Sequence, residues 1–583
     1  METNSQTRRN LPEQETAFPS SSSDRNREIL YSILIILAAV VAIAVRWWDL
    51  GKTSLWRDEG YSVWLSQFSL REIWRAVASD TSPPLYYFLL HGWTRLFGIS
   101  EVSLRSMSAF FETLSIPLFY LIARRILQDK LAITIAMWLY ALCMFQAQYA
   151  RDTRFYGVLV CFSLASVYSL IEFLENRSSF HFASLVLSLA VGLYVHNMMF
   201  FYLPGIALLW FVYPVGPRLV RRATDALLCG IAVFLLFLPW LPSLALQAKR
   251  VGKSFWPARP TLHDLAKSIN TLSGLDSDYL VQFSKHLTRL DLYPYQKLFF
   301  LGCLCLLLFC AVAGLAQAIP ANRWKALAIF AFAALPVLLV FFYSRSRPPI
   351  FLNRVFIATS AAIPLVLAAS MAHVSGRRRT LFTALGVVLL AAQAVSLFGY
   401  FMHFQNEDWR GATADLLGIP PEKRIIVFVT NTGEVLFDYY ASRLPNPPMR
   451  LPETTGLPVP VSLRDEPAHG ALGRFKEDDS LGSLRQVVDS RNYNEIDVVS
   501  SNAPIGLSEL ARKSLSQNCE VFAQEDFHNI KIVRWKCSPS ELPGNSIELS
   551  MNAPNPRFGR SGIAGHEASY PRRRLRLAAR PLN

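Results

Sequence analysis

Charge is what this chain lacks. Only 17% of its 583 residues are Asp, Glu, Lys or Arg, against 52% hydrophobic, and its mean hydropathy is positive. That leaves too little polar surface to cover a soluble globule of this size. Short catalytic motifs are missing too. There is no HExxH, GxSxG, CxxC or Walker-type sequence, so peptidase, lipase, thiol-redox and ATPase readings have no support. Cysteine is scarce. Cys143, Cys161, Cys229, Cys303, Cys305 and Cys310 fall inside apolar runs and read as small hydrophobes. Cys519 and Cys537 lie in a polar C-terminal region and could pair if it faces an oxidising compartment. The first apolar run follows a Ser-rich polar leader and ends in RWWDLGK without a small-residue cleavage site. It reads as an uncleaved helix.

What is present is a series of apolar runs, each long enough to cross a hydrocarbon core of roughly 30 Å. They lie near residues 29–48, 104–123, 131–150, 155–174, 179–196, 199–215, 224–246, 296–317, 325–343, 353–373 and 380–401. The expectation is a polytopic α-helical membrane protein with about eleven spans, twelve or thirteen at most. The run PPLYYFLLHGWTRLFGI at 83–99 is interrupted by His91, Gly92 and Arg95. Laying it flat on the membrane puts Arg124, Arg125, Lys130, Arg177, Arg218, Arg221, Arg222, Arg323, Lys325 and Arg377–Arg379 on one side with the N-terminus. Letting it cross would invert every later loop. Residues 60–99 are therefore expected to form an outer interfacial loop, in a multi-pass protein of the plasma (inner) membrane with a cytoplasmic N-terminus. The same pattern accounts for the net charge of +15 without nucleic acid.

That topology leaves a second set of charges at the outer helix ends: Arg57, Asp58, Glu59, Asp80, Arg105, Arg151, Asp152, Arg154, His196, Arg345, Arg347 and Arg354. They come from distant loops yet share one depth, and charges there without a positive-inside reason are candidates for function. Arginine forks bind phosphate oxygens bidentately. A carboxylate such as Asp58 can take a proton from an attacking hydroxyl or hold a divalent cation against phosphate. Individual members have blander readings. Glu59 can cap the helix starting near Gly60, Arg57 can anchor at the interface, and Pro83–Pro84 can open a helix. His196 can be an interfacial residue, and the tryptophans of 47–93 form an aromatic belt.

The stretches LWRDEGYS (55–62), DTSPPLYYFLLHGW (80–93) and VSLRSMSAFFETLSIPLFYLIARRI (102–126) resemble the protein O-mannosyltransferases and the bacterial aminoarabinose transferases. Both are C-type, polyprenyl-phosphate-dependent glycosyltransferases. QYARDTRFYGVLV (148–160), FLNRVFIATSAAIPLVLA (351–368) and NEDWRGATADLL (406–417) extend the likeness to roughly residues 30–420. The Asp-Glu pair followed by Asp-x-x-Pro-Pro makes it specific. Ser82 stands where the mannosyltransferases have His, a following Lys is absent, and there is no trefoil-like insertion, which points to a bacterial member. The resemblance implies inverting transfer of a sugar from a polyprenyl-phosphate donor to a lipid, protein or glycan acceptor. It implies Asp58 as general base or acceptor-orienting group, Glu59 beside it, and Asp80 on the acceptor side. Arg105 would hold the donor phosphate. Arg151, Arg154 and Arg354 join it by depth and charge, with His196 and Tyr86 as accessory residues. Metal dependence stays open, with a divalent ion as the candidate cofactor.

The expected division is a polar leader (1–28), a transmembrane domain (29–401), a small extracytoplasmic α/β domain (402–540) and a basic tail (541–583). Within the α/β domain RIIVFVT, EIDVVSS and NIKIVRW read as strands, and EVLFDYYAS and SLRQVVDS as helices. Residues 247–295 form a polar outer loop able to cover the site. Two rivals stay open: a transporter or flippase for a lipid-linked sugar, and a non-catalytic polyprenyl-binding relative. A transporter should carry ionisable residues at mid-depth, and the spans read as mostly uncharged there.

Overall fold

The computed structural model describes residues 22–537 except 79, 255–256, 289–292, 322, 373, 421–422, 430–431, 445–450, 457–492, 502–504 and 517–518. Most of the leader, the SLRQVVDS helix and the basic tail lie outside the described residues. The described chain divides into two compact units, one of residues 22–53 and 61–405, the other of 54–60 and 406–537.

The first unit is helical. Its elements are α1 (Ser22–Trp47), α2 (Arg57–Ser66, whose first turn counts with the second unit), α3 (Leu70–Ala78), α4 (Leu85–Phe97), α5 (Glu101–Leu127), α6 (Lys130–Ala141), α7 (Met144–Ala150), α8 (Tyr156–Asn176) and α9 (Ser179–Val195). Then come α10 (Met199–Val212), α11 (Leu219–Phe237), α12 (Leu241–Ser254), α13 (Leu262–Leu272), α14 (Ser277–Thr288), α15 (Gln296–Ala321), α16 (Arg323–Ser346), α17 (Ile357–Ala369) and α18 (Gly376–His403). Seven helices among the described residues are long and apolar enough to cross a membrane, eight if the bent pair α6–α7 is one span. Three shorter apolar helices, Ser179–Val195, Met199–Val212 and Asn353–Ala369, occupy three further expected spans.

The apolar runs divide between lipid and core. Only 11% of the apolar window of α1 is buried, and Ile33, Ile36 and Val40 are more than half exposed, a face that only hydrocarbon solvates cheaply. In α8 the buried share is 83%. It packs through small residues: Ser166 Oγ lies 3.1 Å from Ser188 Oγ, and Ser169 Oγ 2.9 Å from Ser184 Oγ. A Cβ on Gly157 would sit 2.5 Å from the Ser108 carbonyl oxygen, so α8 approaches α5 closely only because residue 157 is glycine. The expected span 131–150 is bent by 49° between α6 and α7. Gly274, in the left-handed region at φ +76, packs there, where a Cβ would lie 2.8 Å from the Cys143 Cα.

One charged pair stands inside the helices around α5, where the spans otherwise read as mostly uncharged. Arg46 of α1 donates through Nε to Glu112 Oε2 at 3.2 Å, with both side chains 0% exposed. Tyr140 lies 3.4 Å from that oxygen and exchanges a 2.6 Å hydrogen bond with Ser115. Periodicity hid the pair, because each partner is a lone charge in an apolar run and only helix packing joins them.

The second unit contains α19 (Trp409–Leu417), β1 (Arg424–Phe428), α20 (Thr432–Ala441), β2 (Glu453–Gly456), β3 (Glu495–Ser501), α21 (Ile505–Leu515), β4 (Cys519–Phe527) and β5 (Ile530–Cys537). The sheet order is β2-β1-β3-β5-β4, with β2, β1 and β3 parallel and β5 antiparallel to both β3 and β4. Ile425, Val427, Ile496, Val498, Leu515 and Trp535 form its core. A buried ladder of charges crosses the strands: Arg424 pairs with Asp497, and Arg534 with Asp415. Cys519 and Cys537, register partners on β4 and β5, form a disulfide.

Candidate active site

The candidate residues fall into both units. Asp58 and Glu59 lie in the first turn of α2 and belong to the second unit. Glu59 is fully buried and its Oε2 accepts from the Trp56 N–H at 3.3 Å, the return half of a capping box. Capping is thus part of what Glu59 does. Asp58 remains 20% exposed, with Arg57 Nε 3.9 Å away. The segment is fixed inside its own unit. The Leu55 N–H donates to the Tyr440 hydroxyl at 2.6 Å, and Asn406 Nδ2 to the Ser54 carbonyl at 3.2 Å. A Cβ on Gly60 would lie 2.6 Å from Leu436 Cδ2, so a larger residue would push this turn off α20.

The first unit gathers the arginines. Arg105, 2% exposed and one turn into α5, donates through Nη1 to the carbonyls of Leu50 (2.8 Å) and Thr53 (2.9 Å). Arg151 donates to the Asp49 carbonyl at 3.0 Å and lies 4.8 Å from the Phe401 ring centre. The turn after α1 therefore orients two guanidiniums. Burial holds Arg151 below its usual basicity against the Tyr400 phenol, with the nearby charge of Arg105 acting the same way. Arg154 donates to Ser62 Oγ at 3.2 Å. Its loop is tied to α5 by Ser108, whose hydroxyl donates to the carbonyls of Asp152 (2.6 Å) and Arg154 (3.0 Å).

His196 follows α9 in a short loop, its ring 3.9 Å from that of Phe155, centre to centre. The Met198 N–H donates to its Nδ1 at 3.1 Å. A neutral ring so held carries its proton on Nε2. Burial first, then the charges of Arg154 and Arg354, push its pKa down to about 3, so it adds no charge to the cluster at neutral pH. Arg354 stands in the single turn Asn353–Phe356 before α17, and Ser268 of α13 donates to Asn353 at 2.5 Å. Tyr86 is buried, edge-on to Phe155 at 6.5 Å.

Asp80 enters the same unit on the loop from α3 to α4. That loop is held by Gln247 and Asn197, two residues sequence reasoning did not single out. Ser62 and Ser108 were also missed. A helical-face reading would have found Ser108, because Arg105, Ser108, Glu112 and Ser115 recur at i, i+3, i+7 and i+10 along α5. Among the described residues no three His, Cys, Asp or Glu side chains are grouped to hold a metal ion.

A helical unit joined to a mixed-sheet unit has known counterparts. The chain shares its fold with ArnT. Residues 81–242 match the model of the dolichyl-phosphate-mannose-protein mannosyltransferase family. ArnT from Cupriavidus metallidurans in the apo state superposes with a TM-score of 0.53 at 13% identity, covering 88% of this chain and 98% of that one. The same protein bound to undecaprenyl phosphate gives 0.51 at 13% identity, over 86% and 97%. The arabinofuranosyltransferase AftD from mycobacteria gives 0.47 at 12% identity, over 87% of this chain and 40% of that one. No curated protein sequence matches the chain.

Proposed function

We propose that this protein is a membrane glycosyltransferase that moves a sugar, with inversion, from a polyprenyl-phosphate donor to an acceptor at the outer face of the membrane. The observation that carries the reading is that one unit brings Arg105 near Arg151, and Arg154 and Arg354 near the neutral His196. Carbonyl and hydroxyl contacts pre-set the guanidiniums of Arg105, Arg151 and Arg154, which suits binding a lipid phosphate and stabilising the charge it gains on departure. The bond from the anomeric carbon to the phosphate oxygen breaks, and its electron pair leaves with the polyprenyl phosphate. The acceptor oxygen bonds to the opposite face of that carbon, and its proton passes to the Asp58 carboxylate. If the acceptor is already a phosphate, Asp58 orients it instead. Asp80 shapes the acceptor side. The ArnT structure with undecaprenyl phosphate supports the donor class. The motif resemblance supports Asp58, and the distribution of basic loops supports a cytoplasmic N-terminus and an extracytoplasmic C-terminal domain.

The buried Arg46–Glu112 pair favours a second reading, a transporter of lipid-linked sugar, since ionisable groups inside helices serve such paths. One assay separates the two. Purified protein in bilayers receives a panel of polyprenyl-phosphate sugars with a membrane extract as acceptor. Free polyprenyl phosphate released by wild type and lost in Asp58→Asn is the expected result. Intact donor crossing the bilayer in both proteins, with no release, would replace the transferase by the transporter.

A further inference from the structure

The loop that carries Asp80 cannot hold its own shape. It runs from Val77 at the end of α3 into Pro83–Pro84, and prolines bring no N–H to a turn. Its carbonyls must find donors elsewhere, and they find them on residues more than a hundred positions away. Gln247 of α12, 1% exposed, gives one N–H to the Val77 carbonyl at 2.8 Å and the other to the Ser82 carbonyl at 3.2 Å. Its Oε1 accepts from Asn197 Nδ2 at 3.0 Å, and the same Nδ2 donates to the Thr81 carbonyl, also at 3.0 Å. Both donors and the acceptor of the Gln247 amide are thus in use. Asp80 lies between the clamped carbonyls. Its N–H caps back on Val77, and Thr81 Oγ1 approaches its carboxylate at only 3.5 Å. The grip falls on the main chain and not on the carboxylate.

We infer that Gln247 and Asn197 are positioning residues that hold the loop 77–82 in register and act on sugar transfer through Asp80. The inference rests on the transferase reading for its effect on rate, but not for the clamp itself. Asn197 is also the neighbour of His196, so one amide pair ties the Asp80 loop to the loop beside the arginines.

The test has two arms on the full-length protein in bilayers. Hydrogen exchange of the peptide spanning 77–88 is measured in wild type, Gln247→Leu and Gln247→Glu, the last keeping the shape but losing both donors. Faster exchange of this peptide in both variants is expected, and unchanged exchange overturns the clamp whatever the protein catalyses. In the second arm, Gln247→Leu is expected to lower kcat for polyprenyl phosphate release about tenfold or more while leaving undecaprenyl phosphate affinity within about twofold. In an Asp80→Asn background it should add nothing further, as for residues acting as one unit. Effects that multiply in that background, or a parallel loss of phosphate affinity, would reduce Gln247 to a general structural role. Should Gln247→Leu fail to fold, Asn197→Ala, which removes only the Thr81 and Gln247 contacts, carries the same comparison. A wild type without any release would defeat the transferase reading and leave the exchange arm to decide the clamp.

Discussion

The two ends of α5 hold arginines in different ways. At its C-terminal end Arg125 donates to Glu172 at 2.6 Å and Glu175 at 2.7 Å, and the Tyr213 hydroxyl also binds Glu175. Nearby, Arg177 meets Asp225 at 2.6 Å, Arg379 meets Asp129 at 3.1 Å, and Lys130 meets Glu28 at 2.5 Å. At the N-terminal end Arg105 and Arg151 donate to main-chain carbonyls and Arg154 to a hydroxyl. A carboxylate cancels the charge it orients. A carbonyl orients a guanidinium through a hydrogen bond without itself being an anion. The same residue type thus forms an ion-pair belt at one end of the helix and grips main-chain carbonyls and a hydroxyl at the other.

Between the ends sits the Arg46–Glu112 pair, and breaking it should have the largest effect. Glu112→Leu alone leaves a buried guanidinium without its carboxylate and is expected to cost about 3–5 kcal/mol. Adding Arg46→Met should restore most of that in thermal unfolding. A single variant as stable as wild type would mean that the pair does not tie α1 to α5. Next in size, Arg105→Lys replaces a planar guanidinium, whose Nη1 bridges two carbonyls, by a point charge, and should lower polyprenyl phosphate release about a hundredfold. Arg125→Lys should leave it within about twofold. Equal losses would erase the distinction between the two ends.

His196 offers a sharper probe of the surroundings of Arg154 and Arg354. Its folded pKa of about 3 lies below the ordinary 6.5, so between those values the unfolded chain binds a proton that the folded one does not. Its contribution is intact above 6.5 and is lost as pH falls toward 3, at no more than about 1.4 kcal/mol per pH unit. Unfolding temperatures of wild type and His196→Gln should therefore converge on acidification, and parallel curves across that range would refute the assignment. The smallest effect belongs to the ion-pair belt. Arg125 is 43% exposed, so Arg125→Gln should cost under about 1 kcal/mol, shrinking further in high salt.

The sequence was most legible where periodicity and length carry the message. Apolar runs marked the helices because a bilayer demands about twenty apolar residues in a row. RIIVFVT and EIDVVSS announced β1 and β3 because a strand buried on both faces reads as a continuous apolar run. β4 was missed for the opposite reason. Its residues Glu520, Glu525 and Asp526 suit an edge strand, and its side chains are mostly exposed. β2 has four residues, too few for a pattern. At the site, Arg105, Arg151, Arg154, Arg354 and His196 were singled out as charges out of place for their depth, and Tyr86 only as accessory. Gln247, Asn197 and Ser108 were not, because an uncharged polar residue in an apolar helix leaves no signature until its partner is known.

By itself, then, the sequence determined that the chain is a multi-pass membrane protein with arginines at its helix ends, since hydropathy and charge act locally along the chain. Only the tertiary structure decided which carbonyl each arginine grips, that Arg46 meets Glu112 across 66 positions, and that Gln247 reaches back 170 positions to hold the Asp80 loop. Those choices depend on how helices pack. Helix packing is set by the shapes of many small contacts at once, and no single stretch of chain contains it.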